Sequence, residues 1–226
     1  MTAEAFLSAM QLADSSLPIG RFVHSAGLER WLATNPDARD EELSELLATL
    51  LVESIAPLDA AALGLAHAAR TTEQLLELDE LLTAHKPLPP HRTASRACGR
   101  RLAALALRLT RDELATGFCQ LVASGATDGN LAIVEGTVAR ALGLTAVNAI
   151  LVELRGTTAG MLSAAVRLGR LSAIRAQVIL HALAPVIVQA QVDALGRSAA
   201  ELRATSPELD IAALEHARAD GRLFAT

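Results

Sequence analysis

Apolar positions along this chain recur every three or four residues, and polar positions fill the steps between. Leu43, Leu46, Leu47, Leu50 and Leu51 lay one stripe along Glu41 to Glu53, the spacing of an amphipathic helix. Glu41, Glu42 and Glu45 sit toward its N-terminal end, where the helix dipole favours carboxylates. Leu75, Leu76, Leu78, Leu81 and Leu82 repeat the pattern over Glu73 to His85, with Thr72 as N-cap and Lys86-Pro-Leu-Pro-Pro as the stop. Between these two, Pro57 suits the first turn of a helix over Leu58 to Arg70. Further helices are expected over His91 to Leu109, Arg111 to Ala123, Ile133 to Leu142 and Thr145 to Leu168, the last bent near Gly156 and Gly160. Another covers Ser172 to Leu195 with a kink at Pro185, and a short one covers Ile211 to Asp220. At the start, a helix-like segment with Phe6, Leu7, Met10 and Leu12 breaks at Asp14-Ser-Ser-Leu-Pro-Ile-Gly20. Helix-compatible sequence then resumes with a polar face of His24, Ser25 and Glu29. Alternation of period two is scarce. The expected fold is all-α, a single helical-bundle domain of about ten helices over residues 1–226, with 198–226 a more polar C-terminal tail.

Composition refines this picture. Apolar residues make up 51 % of 226, aromatics only 2 %, and Tyr is absent. The core must therefore be aliphatic, with Ala and Gly letting helices approach closely. The most apolar stretch, Ala176 to Leu195, is interrupted by Gln177, His181, Pro185, Gln189, Gln191 and Asp193, so a buried core helix is expected there and not a membrane span. The net charge of −5 with no basic tail excludes nucleic acid as a partner class. Lys86 is the only lysine; an arginine-only cationic set suits a protein interface, and a GC-rich genome gives the same composition. Met-Thr-Ala-Glu-Ala offers neither the positive nor the apolar region of a signal peptide. Cys98 and Cys119 are expected as buried free thiols in a reducing cytoplasm.

Candidate chemistry is sparse. His85, His91 and Cys98, with His67 near, form a loose N/N/S set for a metal such as nickel, at spacings that match no compact pattern. No GxSxG, P-loop, GxGxxG or HExxH occurs, so neither an enzyme nor a cofactor is expected. Glu41/Glu42 and Glu77/Asp79/Glu80 are expected on solvated helix faces. Arg92, Arg96 and Arg100 repeat every four residues as a cationic stripe, beside Ser95, Gly99 and Leu102. Gly99 inside a helix points to close helix approach. Gly160, Ser163 and Ala164, with Arg167 one turn on, form a small-residue strip suited to packing against another helix, within the chain or in a second copy.

Five blocks, in order, carry a resemblance to a known family: Leu12-Ala-Asp-Ser-Ser-Leu-Pro-Ile-Gly20 with Phe22-Val-His-Ser-Ala-Gly-Leu-Glu29; Ser95-Arg-Ala-Cys-Gly-Arg100-Arg101-Leu102; Gly136-Thr-Val-Ala-Arg-Ala-Leu-Gly-Leu144; Leu162-Ser-Ala-Ala-Val-Arg167-Leu168; and Pro207-Glu-Leu-Asp-Ile with Arg222-Leu-Phe224. The chain resembles UreF, the urease accessory family. Two positions depart from that pattern: Arg21 adds charge and bulk where many members carry a small residue, and Val23 stands where Ser or Thr is usual. The resemblance implies a cytoplasmic, non-enzymatic, dimeric all-α protein. Such a protein binds UreD (also called UreH) and recruits the GTPase UreG to apo-urease for nickel delivery. It also implies partner-binding roles for Asp14, Pro18, Gly20, His24, Ser25, Glu29, Arg96, Arg100, Arg101, Arg167, Arg222 and Phe224. Glu29 and Arg167 would lie on the UreG-facing surface, and Arg222 and Phe224 in a tail that orders on UreD.

Overall fold

A computed structural model describes residues 2–219 and 222–225, and the described residues form helices and no strand. The order is α1 (Ala3–Leu12), α2 (Leu28–Thr34), α3 (Asp40–Leu50), a π-helical segment (Leu51–Ala60), α4 (Ala61–Ala68), α5 (Thr72–Ala84) and α6 (Pro89–Leu109). There follow α7 (Glu113–Ser124), α8 (Leu131–Ala141), α9 (Ala146–Arg167), α10 (Ala173–Ala182), α11 (Ala184–Leu195) and α12 (Pro207–Arg218). The Thr71, Asp112, Thr145 and Ser172 side chains each accept a backbone N–H three residues on. The cap of α5 falls on Thr71, one residue before the expected Thr72.

Helix α8 is the axis of the bundle. All residues from Ala132 to Ala139 are buried, and α4, α6, α7 and α9 pack around it. A helix covered on every side cannot show an amphipathic stripe, which is why the 132–139 stretch, Glu135 apart, carries small and apolar residues all round. Gly99 lies where α6 meets the start of α8; a Cβ there would stand 2.0 Å from the Gly129 carbonyl oxygen. The close approach expected of Gly99 is thus present.

Four local expectations are corrected. Pro57 opens no new helix: α3, the π segment and α4 form one continuous rod from Asp40 to Ala68. Proline removes an N–H and crowds the preceding turn, and the wider π register absorbs it. Carbonyls left over are used by the extended chain before α12, where Thr205 N–H donates to Glu53 O at 2.9 Å and Arg203 N–H to Pro57 O at 3.1 Å. The break in 172–195 falls at Leu183, not Pro185, which sits in the first turn of α11; the two helices meet at 49°. That pair is not buried all round. Its inner face carries Ile179, Leu183 and Ile187, while Ile174, Val178, Val188 and Val192 are exposed. Asp79 is not on a solvated face but fully buried, unlike Glu77 and Glu80. Its carboxylate accepts from Thr127 Oγ1 and from the backbone N–H of Gly129 and Asn130, and so closes the loop that feeds α8.

By length and composition, Asp40–Ala68 and Ala146–Arg167 could each cross a membrane, as could the bent α10–α11 pair. In this fold 56 % of each single helix's most apolar window is buried against other helices.

Candidate functional site

The segment between α1 and α2 builds the centre of the site. Asp14 folds back on Ser16, whose N–H and hydroxyl both donate to one carboxylate oxygen at 2.8 Å; those bonds hold the Asp14 carboxyl below its usual range. Pro18 is exposed. Gly20 takes φ 81°, the left-handed conformation glycine adopts without penalty, and Arg101 donates to the adjacent Ile19 carbonyl at 3.4 Å. Helix does not resume at His24 as expected. Arg21–Val23 form a single 3-10 turn, and α2 begins only at Leu28, after Ala26 and Gly27 with φ of 51° and 86°. Ser25 is fully buried. A left-handed alanine is strained, and here Ala26 and Gly27 together turn the chain into α2.

Arg21, the residue that departs from the family pattern, is the keystone. Its guanidinium donates to Glu153 Oε2 at 2.5 Å and to Glu135 Oε2 at 2.9 Å. The two carboxylate side chains are 7 % and 3 % exposed, on α9 and α8. Three charges share this buried place, and the desolvation cost is spread unevenly among them. Burial and the Glu153 charge push the Glu135 carboxyl well above its ordinary value. Burial also opposes ionisation of Glu153, but Arg21 and further hydrogen bonds, one of them from Thr157, hold that group below its ordinary value. The carboxylates raise the Arg21 guanidinium further still. The guanidinium therefore serves two carboxyl groups whose tendencies to ionise are pushed in opposite directions.

Beside it opens a cavity of about 240 Å³, lined by Arg21, His24, Lys86, His91, Cys98 and Glu153 among largely apolar neighbours. Lys86, the only lysine, is 8 % exposed and donates to both Asp59 carboxylate oxygens at 2.6 Å. Burial and Arg101 lower the basicity of His24; burial and Lys86 lower that of His91. The three residues considered for a metal, His85, His91 and Cys98, all line this cavity but are otherwise engaged. His85 Nδ1 bonds the Leu81 carbonyl at 2.9 Å, and His91 faces Asp210 at 3.9 Å. The Cys98 thiol is buried and pushed up by desolvation. Among the described residues no three His, Cys, Asp or Glu side chains stand together in a way that could hold a metal ion, so this set does not form a metal site. Both cysteines are buried and free, as expected.

A second cluster joins residues from four parts of the chain. Glu29 accepts the backbone N–H of Leu223 at 2.9 Å and of Phe224 at 3.0 Å. His216 stands 3.6 Å from the same carboxylate and bonds the Phe224 carbonyl at 3.2 Å. Arg167 lies over the Phe224 ring, 4.3 Å from its centroid, and donates to the Phe22 carbonyl at 2.5 Å. Ala225 N–H donates to Val23 O at 2.8 Å. Glu29, Arg167 and Phe224, widely separated in sequence, thus meet around residues 222–225. Glu29 is not an open polar face: its side chain is 16 % exposed. Arg222 is exposed beside the cluster. Neighbouring α12 is tied down by Trp31 Nε1 to Glu208 and by Arg30 to Glu215, and Gly27 meets it at the Leu209 carbonyl.

The arginine stripe on α6 is not one continuous surface. Arg92 donates to the Lys86 and Pro87 carbonyls and Arg96 to Asp128 at 2.5 Å, whereas Arg100 is exposed. Ser95 Oγ accepts from Leu131 N–H at 3.2 Å and so caps the entry to α8. In the small-residue strip on α9, Ala164 is buried, Ser163 is exposed, and no atom would lie within 4 Å of a Cβ on Gly160. Among the described residues, then, a side chain at this position would meet open space.

Sequence reasoning missed Glu135, Glu153 and the role of Asp79. Glu135 and Glu153 are each an acidic residue within a largely apolar helical stretch, and Arg21 stands out only as a charge in a turn of small residues; the pairing joins positions 114 and 132 residues apart.

The fold and these clusters describe an all-helical protein whose ionisable groups tie its own segments together beside a largely apolar cavity. Comparison with known proteins places it further. The model of the UreF family matches residues 38–184. The chain is 31 % identical over 228 residues to "Urease accessory protein UreF" of Trichodesmium erythraeum (strain IMS101), covering 97 % of this chain and 96 % of the relative. It is 28 % identical to the protein of that name from Corynebacterium glutamicum (strain R), over 99 % of each, and 32 % identical to that of Haemophilus influenzae (strain PittEE), over 95 % and 93 %. The chain belongs to the UreF family.

Proposed function

We propose that this chain is a urease accessory protein that works by holding surfaces for other proteins and turns over no substrate of its own. In the cytoplasm it pairs with a second copy, binds UreD (UreH) and recruits the GTPase UreG to apo-urease, where the nickel centre is assembled. Nickel is cargo of that assembly and is not held by a resident site in this chain. The single observation that carries the reading is the near end-to-end match to proteins named urease accessory protein UreF. Two structural features support it: the ionisable groups are engaged in internal ties, and residues named by the family resemblance, Glu29, Arg167 and Phe224, converge on one surface cluster.

In this reading the partner-facing residues divide by exposure. Asp14, Pro18, Arg100, Arg101, Arg167 and Arg222 are exposed and can touch a partner directly. Gly20, Ser25, Glu29 and Phe224 shape the surface from behind. His24 and Arg96 lie between, partly exposed. Tagged chain is expected to co-purify with UreD and UreG, and deleting its gene to leave urease protein present but inactive. Glu29→Ala is expected to weaken capture while leaving the helical circular dichroism unchanged. Full urease activation without this chain, or capture of neither companion, overturns the proposal.

A further inference from the structure

We infer that the outer face of α6 is a docking surface for an acidic helix of a partner protein. The inference deepens the reading above, on which it rests, by giving the chemistry of one contact. Charge is unevenly spread along this chain. Residues 89–124, which hold α6 and α7, carry six arginines and two acids, in a chain whose net charge is −5. Helix α6 itself has no Asp or Glu. Of the two acids, Asp112 is tied to Arg140 at 3.4 Å, and Glu113 forms no ion pair among the described residues. Thr93, Ala97, Arg100, Ala104 and Arg108 follow one another in steps of four and three, so they share one face. All but the half-buried Ala97 are exposed, as is Arg101 beside Arg100. Many arginines elsewhere are engaged within the fold: Arg21, Arg140 and Arg175 on carboxylates, Arg92 and Arg170 on backbone carbonyls. Arg100 and Arg108 meet neither among the described residues, and Arg101 donates only to the Ile19 carbonyl at 3.4 Å. Like charges adjacent or one turn apart weaken a helix. The outer arginines therefore add nothing to α6, which is held by its buried side, Cys98, Gly99, Leu102, Ala103 and Ala106.

Charge complementarity, spacing and shape together define the occupant. Guanidinium groups pair carboxylates through two parallel hydrogen bonds. Arg100 and Arg101 stand about two turns, or about 11 Å, from Arg108 along the axis, and so match carboxylates two turns apart on a neighbouring helix. Ala97 and Ala104 keep the ridge between them low, so a helix can lie against it at the usual interaxial distance of about 8–10 Å. A polyphosphate chain fits less well: the remainder of this acidic chain repels it, and α6 carries no aromatic side chain on which bases could stack. The same acidic remainder repels an acidic partner that approaches elsewhere, which steers it onto α6. Through Arg101, which covers Ile19 and Gly20, the face is continuous with the turn of the candidate site.

The probe is a labelled, alanine-based helical peptide of about 20 residues with glutamates two turns apart on one face. Fluorescence anisotropy is expected to show binding to the full chain that weakens at least tenfold between about 0.05 M and about 0.3 M salt. Arg100→Glu with Arg108→Glu is expected to weaken it at least tenfold with unchanged circular dichroism, and Arg100→Lys with Arg108→Lys by less than about threefold. Arg39→Glu with Arg218→Glu makes the same change in net charge at exposed positions elsewhere and is expected to leave binding intact. Binding that survives reversal at 100 and 108, that is shared by the same peptide with Gln for Glu, or that is lost equally on reversal at 39 and 218 overturns the assigned face. So does a wild-type chain that ignores the probe, or whose arginines at 100 and 108 bind duplex DNA or heparin instead. The reversed pair is also expected to weaken capture of UreD, UreG or apo-urease at least tenfold; undiminished capture of all three overturns the face as well. Failure of the wild-type chain to capture any of them, with the probe result intact, overturns the functional reading alone.

Discussion

Replacing Arg21 by Met removes the only cation from a buried cluster while keeping most of the side chain's volume. Glu153 then loses a 2.5 Å charge-assisted bond and Glu135 a 2.9 Å one. Both carboxyls stay at or below 7 % exposure, so water cannot replace the guanidinium. Breaking a buried pair on one side costs about 3–5 kcal/mol. The lower figure applies here, because Arg21 is itself 23 % exposed and burial already opposes ionisation of Glu135. A loss of about 3 kcal/mol is a large share of the roughly 5–15 kcal/mol that holds a domain together, and for a chain of this size it lowers Tm by about 6–12 °C. The sign of the pH dependence is fixed. In the native chain Glu153 is held below its ordinary value, so its contribution is present above that value and is lost as pH falls through its folded pKa. Without Arg21 the same carboxyl is raised by burial, so its contribution is present at low pH and lost as pH rises. The gap between the two proteins therefore widens from pH 4.5 toward pH 7. Calorimetric or urea unfolding at pH 5 and pH 7 measures it. A Tm drop below about 2 °C at pH 7, or a gap as large at pH 5, refutes the account of the cluster.

The remaining predictions concern other parts of the fold. Glu135→Gln is expected to be neutral or stabilising at pH 7, whereas Glu153→Gln destabilises by about 2–3 kcal/mol, because burial and the neighbouring charge oppose ionisation of the first group while Arg21 and further hydrogen bonds favour ionisation of the second; equal losses in urea titrations would contradict this. Asp79→Ala is expected to cost about 3 kcal/mol by leaving the Gly129 and Asn130 N–H groups buried without an acceptor, with hydrogen exchange speeding first at those amides. Glu29→Ala is expected to leave global stability within about 1 kcal/mol yet raise exchange at the Leu223 and Phe224 amides, which it now accepts. Cys119, its thiol pushed up to about 12 by burial, is expected to resist iodoacetamide at pH 8 until the chain unfolds; rapid native labelling would show that α7 opens.

Much of the fold was legible because helical periodicity is a local signal. The leucine stripes of α3 and α5 follow from residues within a turn or two of each other. What could not be read was long-range or two-sided. Pro57 looks like a helix start, since proline usually is one; only the extended chain at 203–205, arriving from another part of the molecule, supplies donors to the turn around it. Asp79 looks solvated beside Glu77 and Glu80, because periodicity alone does not say which acidic residue of three has a loop waiting opposite. Gly160 reads as a packing residue, yet among the described residues no atom lies within 4 Å of where its Cβ would be.

The candidate site shows the same division. Block order along the chain pointed to the right family, but the resemblance counted Arg21 as an intrusion in a small-residue turn. In the structure the turn exists to deliver it. Ala26 in a left-handed conformation is a local cost, and the burial of two carboxylates is a larger one; each is tolerable only because the others are present. A buried ion cluster is weak evidence for stability as such, since apolar side chains of equal volume would hold α8 and α9 together as well. What the cluster adds is direction. A guanidinium aimed at two fixed carboxylates admits one register of the opening turn against α8 and α9, and that register also sets the backbone carbonyls of Phe22 and Val23 where Arg167 and Ala225 reach them. The interior charges and the surface around Phe224 are therefore two ends of one short segment, residues 21–24, so a change at the buried end is felt where a partner would dock.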